Sequence, residues 1–247
     1  MFQDHEIPLL YADEYLLVVN KPAGLRVIPD GYQKNLPNLH QLLTEKFGRL
    51  WVVHRLDRET SGAILFARNA ETHRHLNQQF QNRQIKKVYH LLAIGSLINT
   101  PLEINYPLRV NGDRAHRTVV DFQRGKSATT LIHLIQSLQK RILLLEATPQ
   151  TGYTHQIRAH LSAAGFWLLN DPLYFPWNHP PGQSEAHPRL PAHYRDICQP
   201  LPIRRIALHS WKIEFYHPVL QQIFQITAPY PEDFTMTITQ LQNEGGI

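Results

Sequence analysis

The residues best suited to chemistry lie in one polar block, His54-Arg55-Leu56-Asp57-Arg58-Glu59-Thr60-Ser61-Gly62. Leu50-Trp51-Val52-Val53 precedes it and Ala63-Ile64-Leu65-Phe66-Ala67 follows, apolar runs that read as strands. The block is therefore expected to be a short, tightly held crossing at the edge of a sheet. An extended backbone over 52–57 puts Arg55 and Asp57 on one face and His54 and Leu56 on the other. Asp57 then has one cation two positions before it and Arg58 next in sequence. Thr60-Ser61-Gly62 supplies hydroxyls and a glycine, which turn a chain sharply and satisfy backbone groups locally. A surface turn with a salt bridge explains most Arg–Asp pairs, but a block this polar between strands this apolar points to function.

The elements around the block have to position it. Ile7 to Val19 reads as two short strands split by Ala12-Asp13-Glu14, and Asn20-Lys21-Pro22-Ala23-Gly24 ends the second. A helix over Leu36–Phe47, capped by Asn38, leads into the block, and Asn69 caps another over about 70–82. In that second helix Leu76 and Phe80 point to the core, and Gln78, Gln79 and Gln81 mark the wet side. A strand over Gln84–Gly95 places Lys87, Tyr89, Leu91 and Ala93 on one face.

Residues 104–130 are basic, with Arg109, Arg114, Arg117, Arg124 and Lys126, and Asn111-Gly112 suits a tight turn at positive φ. Either a solvated hairpin or an arm that grips phosphates fits this composition. A buried strand over Arg141–Ala147 precedes a helix over about 155–164, with Thr154 as N-cap and Gly165 just past its end. Ile157, Leu161 and Ala164 form its buried stripe; His155, Arg158 and Ser162 form a polar one. An arginine in the first turn opposes the helix dipole, so Arg158 calls for a buried carboxylate or phosphate partner. The proline-rich stretch 175–202 reads as an irregular insertion. Closing strands run to Pro231, and a short helix begins near Thr235.

The 247 residues suffice for a substantial core, and the net charge of +5 favours a polyanionic partner. The single cysteine, Cys198, excludes an internal disulfide and a cysteine-based zinc cage. His155 and His160 diverge around their helix, so no metal site is expected. The amino terminus lacks the pattern of a signal peptide, and no apolar run is long enough to span a membrane. A cytoplasmic protein is expected.

The 54–62 block resembles the H-R-L-D-x-x-T-S-G signature of the RluA family of RNA pseudouridine synthases, with every fixed position present. The resemblance extends along the chain. Asp13 to Gly24 is similar to the family's D-x-x-L-x-V-x-N-K-P-x-G, Lys87-Val88-Tyr89 to its K-x-Y, and Gly125 to Thr130 to its G-K-x-A-x-T. Thr151 to Leu161 is similar to T-G-R-T-H-Q-I-R-x-H-L, except that Tyr153 stands where the family usually has arginine. Asn170-Asp171-Pro172-Leu173-Tyr174 is similar to G-D-x-x-Y, with Asn170 in place of a glycine.

The resemblance implies isomerisation of uridine to pseudouridine in ribosomal or transfer RNA, without a metal or cofactor. It makes Asp57 the reacting carboxylate, places Tyr89 against the target base, and pairs Arg158 with Asp57. Arg55 would fill the gap left by a flipped nucleotide, with Lys87, Arg114 and Arg117 on the RNA backbone; Lys21 is architectural. The implied fold is α+β, a mixed, mostly antiparallel central sheet with flanking helices and an active cleft across it. The element pattern points to α+β as well. One catalytic domain over 1–247 is expected, without a separate N-terminal RNA-binding domain, working as a monomer away from membranes. Two alternatives stand beside this reading. A glycoside hydrolase using Asp57 and Glu59 would need carboxylates roughly 5–9.5 Å apart around one bond, and nothing else in the sequence suits a sugar site. An RNA-binding relative without catalysis is the other, for which Tyr153 leaves room.

Overall fold

The computed structural model describes residues 7–29, 36–95, 101–175 and 201–243. In chain order the elements are β1 (Leu9–Ala12), β2 (Leu16–Lys21), α1 (Leu39–Phe47), β3 (Trp51–Val52), β4 (Ser61–Ala67), α2 (Ala70–Gln81), β5 (Lys86–Ile94), β6 (Leu102–Ile104), β7 (Leu108–Arg109), β8 (Val119–Val120), β9 (Thr130–Ser137), β10 (Ile142–Pro149), α3 (Gln156–Ala163), β11 (Trp167–Leu168), β12 (Leu208–Tyr216), β13 (Ile223–Thr227) and α4 (Glu232–Asn243). The architecture is α+β and mostly antiparallel, as the sequence implies. The elements gather into two compact units: Met1–Val88 with His209–Tyr230, and Tyr89–Leu208 with Pro231–Ile247. Most of the 175–202 stretch, with Cys198, lies outside the described residues.

In the first unit the strand order is β1-β2-β4-β12, with β3 on β4 and β13 on β12. Every pairing is antiparallel except β12 with β4. The expected turn between β1 and β2 is closed by Asp13, whose Oδ1 accepts the N–H groups of Tyr15 (2.7 Å) and Leu16 (2.8 Å). One core of this unit joins Leu16 and Val18 of β2, Ala63, Leu65 and Ala67 of β4, Leu76 of α2, and Ile213 and Phe215 of β12. The period-2 alternation of the strands sets which residues join it, and each large side chain contributes about 1.5–3 kcal/mol by leaving water.

Both asparagine caps form: Asn38 accepts from the Gln41 N–H at 3.0 Å and Asn69 from the Thr72 N–H at 2.8 Å. Gln79 departs from the expected wet face. It is buried, donating Nε2 to the Tyr216 carbonyl (2.8 Å) and accepting the Tyr216 N–H on Oε1 (3.0 Å). A primary amide can occupy such a place because it offers a backbone group one donor and one acceptor.

In the second unit the order is β5-β10-β9-β6, antiparallel throughout, with β11 also on β5. Tyr89 stands opposite Ala147 in the β5–β10 pair. β7 and β8 form a separate hairpin within the basic stretch. Asn111 is at φ 53, the positive value expected for the Asn-Gly turn, and Asn170 is at φ 58 where the family pattern has glycine. The C-terminal helix starts three residues before the expected position, at Glu232, and buries Phe234, Thr237 and Leu241. Arg205 fastens its first turn through a two-pronged pair with Asp233, at 2.8 and 2.9 Å.

Candidate active site

Asp57 heads a turn. Its carbonyl accepts the Thr60 N–H at 3.2 Å, and the short β3 before it and the longer β4 after it anchor the turn to the first unit. The preceding loop clasps it from the side. The Arg58 carbonyl accepts both the Gly24 N–H (2.8 Å) and the Lys21 ammonium (3.0 Å), and Arg58 Nε returns a bond to the Gly24 carbonyl (3.1 Å). Lys21 is wholly buried and also donates to the carbonyls of Leu25 (2.7 Å) and Pro22 (2.9 Å). A buried ammonium is tolerated when its protons all meet acceptors, and here those acceptors belong to the two loops it joins. The Asn-Lys-Pro-Ala-Gly motif is thus the brace of the Asp57 turn, in line with the architectural role expected of Lys21.

The residues on either side of Asp57 are fixed just as firmly. His54 accepts the Leu65 N–H on Nε2 at 3.0 Å and lies 5.0 Å from the Phe80 ring. Burial, reinforced by the charge of Lys87, pushes its pKa down to about 3. Lys87 itself is half-buried, and burial holds its ammonium below the ordinary lysine range. Leu56 is buried and Arg55 exposed, the opposition expected from an extended backbone. Ser61 Oγ meets His209 Nδ1 at 2.9 Å, while His209 Nε2 donates to the Ala228 carbonyl at 3.2 Å. Gly62 is required twice over. Its φ is +114°, and a Cβ there would lie 2.2 Å from the Ser210 carbonyl oxygen of β12.

In the second unit Arg158 is 4 % exposed and held by Asp171 in a fork, Nε to Oδ2 at 2.8 Å and Nη2 to Oδ1 at 2.7 Å. Asp171 is itself oriented by the N–H groups of Leu173 (2.9 Å) and Tyr174 (3.1 Å). The guanidinium lies 5.0 Å from the Tyr174 ring centroid. This is the buried carboxylate that an arginine in the first turn called for, drawn from the Asn-Asp-Pro-Leu-Tyr motif. Asp171 is a functional residue that its motif alone does not single out; the helix dipole signals a buried anion here without naming its source.

The start of α3 departs from expectation. The cap position belongs to His155, at φ 55 and without a side-chain cap bond, so Thr154 is not the N-cap. Gln156 instead ties the helix start to the neighbouring loops. Its Oε1 accepts from Thr151 Oγ1 (2.8 Å) and the Tyr153 N–H (3.1 Å), and its Nε2 donates to the Thr129 carbonyl (3.0 Å) and Thr130 Oγ1 (3.1 Å). His160, one turn on, meets Thr130 Oγ1 with Nδ1 and the Tyr106 carbonyl with Nε2, both at 2.9 Å. Burial lowers its pKa. The Gly125–Thr130 motif is therefore the anchor of the helix that carries Arg158.

The basic arm is braced on the same helix. Tyr174 Oη accepts the Thr118 N–H at 2.9 Å and donates to the Thr118 carbonyl at 3.0 Å, while Thr118 Oγ1 donates to the Thr154 carbonyl at 2.6 Å. Tyr153 packs with Val120 and Leu173 against a cluster of Leu108, Ala128, Ala159 and Tyr174. An aromatic ring suits that apolar niche, which gives the departure from the family's arginine a physical basis. Arg117 pairs with Asp113 at 2.6 Å and donates to the Leu173 carbonyl at 3.0 Å, so it braces the hairpin; Arg114 is exposed. Of the expected site residues, Arg55, Asp57 and Lys87 belong to the first unit, and Tyr89, Arg114, Arg117 and Arg158 to the second.

A turn headed by one carboxylate and a helix presenting a carboxylate-clamped arginine can be compared with known proteins. The sequence profile described as RNA pseudouridylate synthase matches residues 15–163. The chain belongs to this family. It is 32% identical over 226 residues to the dual-specificity RNA pseudouridine synthase RluA of Pasteurella multocida, covering 92% of this chain and 94% of that one. It is also 32% identical over 254 residues to the ribosomal large subunit pseudouridine synthase D of Nitrosomonas europaea, covering 98% of this chain and 67% of the relative. Among solved structures, human RNA pseudouridylate synthase domain containing 1 shares the fold, with a TM-score of 0.72 and 23% identity over 94% of this chain and 86% of that one.

Proposed function

We infer that the chain is an RNA pseudouridine synthase that isomerises uridine in structured ribosomal or transfer RNA, with Asp57 as its reacting group. The observation that carries the reading is the Asp57 turn of a family member: the unbroken 54–62 block, locked by Lys21 and Gly24 into one backbone conformation. The reaction breaks the bond from ribose to uracil nitrogen, turns the base, and rejoins ribose to a uracil carbon. One proton leaves that carbon and one is gained by the nitrogen, so composition and oxidation state are unchanged. A single ionised carboxylate suffices, either attacking the anomeric carbon or removing a ribose proton.

In this proposal Tyr89 lies against the base, and Arg158 is the positive partner of the reacting carboxylate. The clamp on Arg158 supports that role, because a guanidinium fixed by Asp171 acts as an oriented charge. Arg55, Lys87 and Arg114 meet the RNA, Arg55 beside the vacated stack. Arg117 contributes by holding the hairpin in shape. One chain is taken as the working unit.

The decisive variant is Asp57→Asn. Pseudouridine formation on ribosomal and transfer RNA transcripts is expected to fall by at least about a thousandfold, with RNA affinity retained. Turnover near the wild-type rate would remove Asp57 from the chemistry. A wild-type protein that binds RNA yet makes no pseudouridine would instead mark a relative without catalysis.

A further inference from the structure

Resting on the RNA-modifying reading, we propose that Phe122 is a stacking platform for an unpaired RNA base outside the reacting centre. At 76 % exposure it is the most exposed large hydrophobic side chain among the described residues. It sits in a turn built to hold it there. Asp121 Oδ1 accepts the N–H groups of Gln123 (3.0 Å) and Arg124 (2.9 Å), and the Asp121 carbonyl accepts the Gly125 N–H (2.8 Å). The Asp121 N–H in turn binds the Pro107 carbonyl at 2.9 Å. Arg109 pairs with Asp121 at 2.7 Å and fixes it from the side. A Cβ on Gly125 would lie 2.3 Å from the Asp121 carbonyl oxygen, so the loop closes as tightly as backbone allows.

The ring is steadied without being covered. Tyr106 meets it nearly edge-on, with centroids 6.1 Å apart and planes at 68°. Tyr106 is in turn tied to α3, since its carbonyl accepts from His160 Nε2 at 2.9 Å. The path from the arginine-bearing helix to the exposed ring is thus short and stiff.

The charge around the ring selects the occupant. Arg124 and Lys126 follow it in sequence, and Arg114 lies at the other end of the hairpin; all three are exposed and make no ion pair among the described residues. The two acidic groups of this stretch, Asp113 and Asp121, are both consumed by Arg117 and Arg109. An exposed aromatic ring beside unpaired cations is the combination that binds single-stranded nucleic acid. The cations follow the phosphates, and the ring accepts a base of any sequence because every base has a π face.

The test uses the full chain with Phe122→Ala, Phe122→Leu and Phe122→Tyr. Probes are a single-stranded oligoribonucleotide carrying a fluorescent purine analogue, and a blunt RNA duplex of the same composition. For Ala and Leu, affinity for the single strand is expected to fall about tenfold, and the quenching of the analogue on binding to be lost. Tyr restores both, duplex affinity stays constant, and the salt slope is unchanged because no phosphate contact is removed. Wild-type binding by the Ala variant, or by the Leu variant, overturns the stacking role. A changed sedimentation coefficient with unchanged RNA affinity overturns it in favour of a protein partner on this surface. Pseudouridine formation by the wild type, measured in parallel, separates the two readings. Its absence removes the enzyme while leaving the binding comparison to decide Phe122; its presence beside an unaffected Ala variant removes only the platform.

Discussion

Two buried cations organise the described residues, and each is held in a different way. Lys21 is surrounded by backbone carbonyls, so its role is to join loops. Arg158 is gripped in a fork by a carboxylate, so its orientation is fixed. Removing Asp171 takes the forked carboxylate away from a guanidinium in a nearly dry place. Asp171→Ala is therefore expected to cost about 3–5 kcal/mol in urea unfolding. Replacing both partners, Arg158→Met with Asp171→Asn, should recover much of that stability, because no buried charge remains and the asparagine oxygen still accepts the Leu173 and Tyr174 N–H groups. Isomerisation should not return with it if Arg158 has the proposed role. A double variant as unstable as the single one would show that the fork is not what matters at this site. At this scale the sequence was informative about which side chains to watch and silent about their partners. Asp57, Tyr89 and Arg158 are legible from short motifs, whereas Asp171 lies thirteen residues from Arg158, across a helix end and a loop. The need for a buried anion could be read from the helix dipole, but its source could not.

Elements were legible in proportion to how much local chemistry defines them. The asparagine caps of α1 and α2 follow from one side chain and one N–H, and both form as expected. The start of α3 was misjudged because Gln156, not the preceding hydroxyl, gathers the loose backbone groups. The two-residue strands β7 and β8 carry no periodicity to detect, and their hairpin is set by ion pairs and by packing on α3. Thr130 makes this dependence testable. Its hydroxyl accepts from Gln156 and meets His160 Nδ1, so it links β9 to both ends of the α3 anchor. Thr130→Val keeps the shape and strands two buried polar groups. The expected cost is about 2–4 kcal/mol, from two partners at about 1–3 kcal/mol each with partial relaxation. Faster hydrogen exchange at the first amides of α3, with the β1–β2 pair unaffected, would locate the loss. Uniform exchange across both units would refute a local anchor.

Each compact unit contains a histidine held neutral, which couples the whole molecule to mild acid. In the first unit His54 uses Nε2 as an acceptor for the Leu65 N–H, and a proton there would break that bond. In the second His160 is sealed against Thr130 and Tyr106, and burial lowers its pKa from the ordinary value of 6.5. Unfolding releases both side chains to the ordinary value of 6.5, while the folded state keeps His54 unprotonated until about 3. Between those limits the unfolded chain binds more protons, so stability falls as pH falls. The stabilisation is complete above 6.5 and is lost progressively toward about 3 for His54, with His160 adding the same sign below 6.5. One group contributes a slope of up to about 1.4 kcal/mol per pH unit. His54→Gln keeps a neutral acceptor for the Leu65 N–H and removes the titration. Chemical denaturation of wild type and variant at a series of pH values should give parallel stabilities above 6.5 and a shallower fall for the variant below it, with the slope reduced by roughly 1.4 kcal/mol per unit. Because His54 opens the Asp57 block, opening of β4 away from that turn costs less free energy as pH falls through the same range. Isomerisation by the wild type should then decline with acid more steeply than that of the variant, and coincident profiles for the two proteins would exclude His54 as the source.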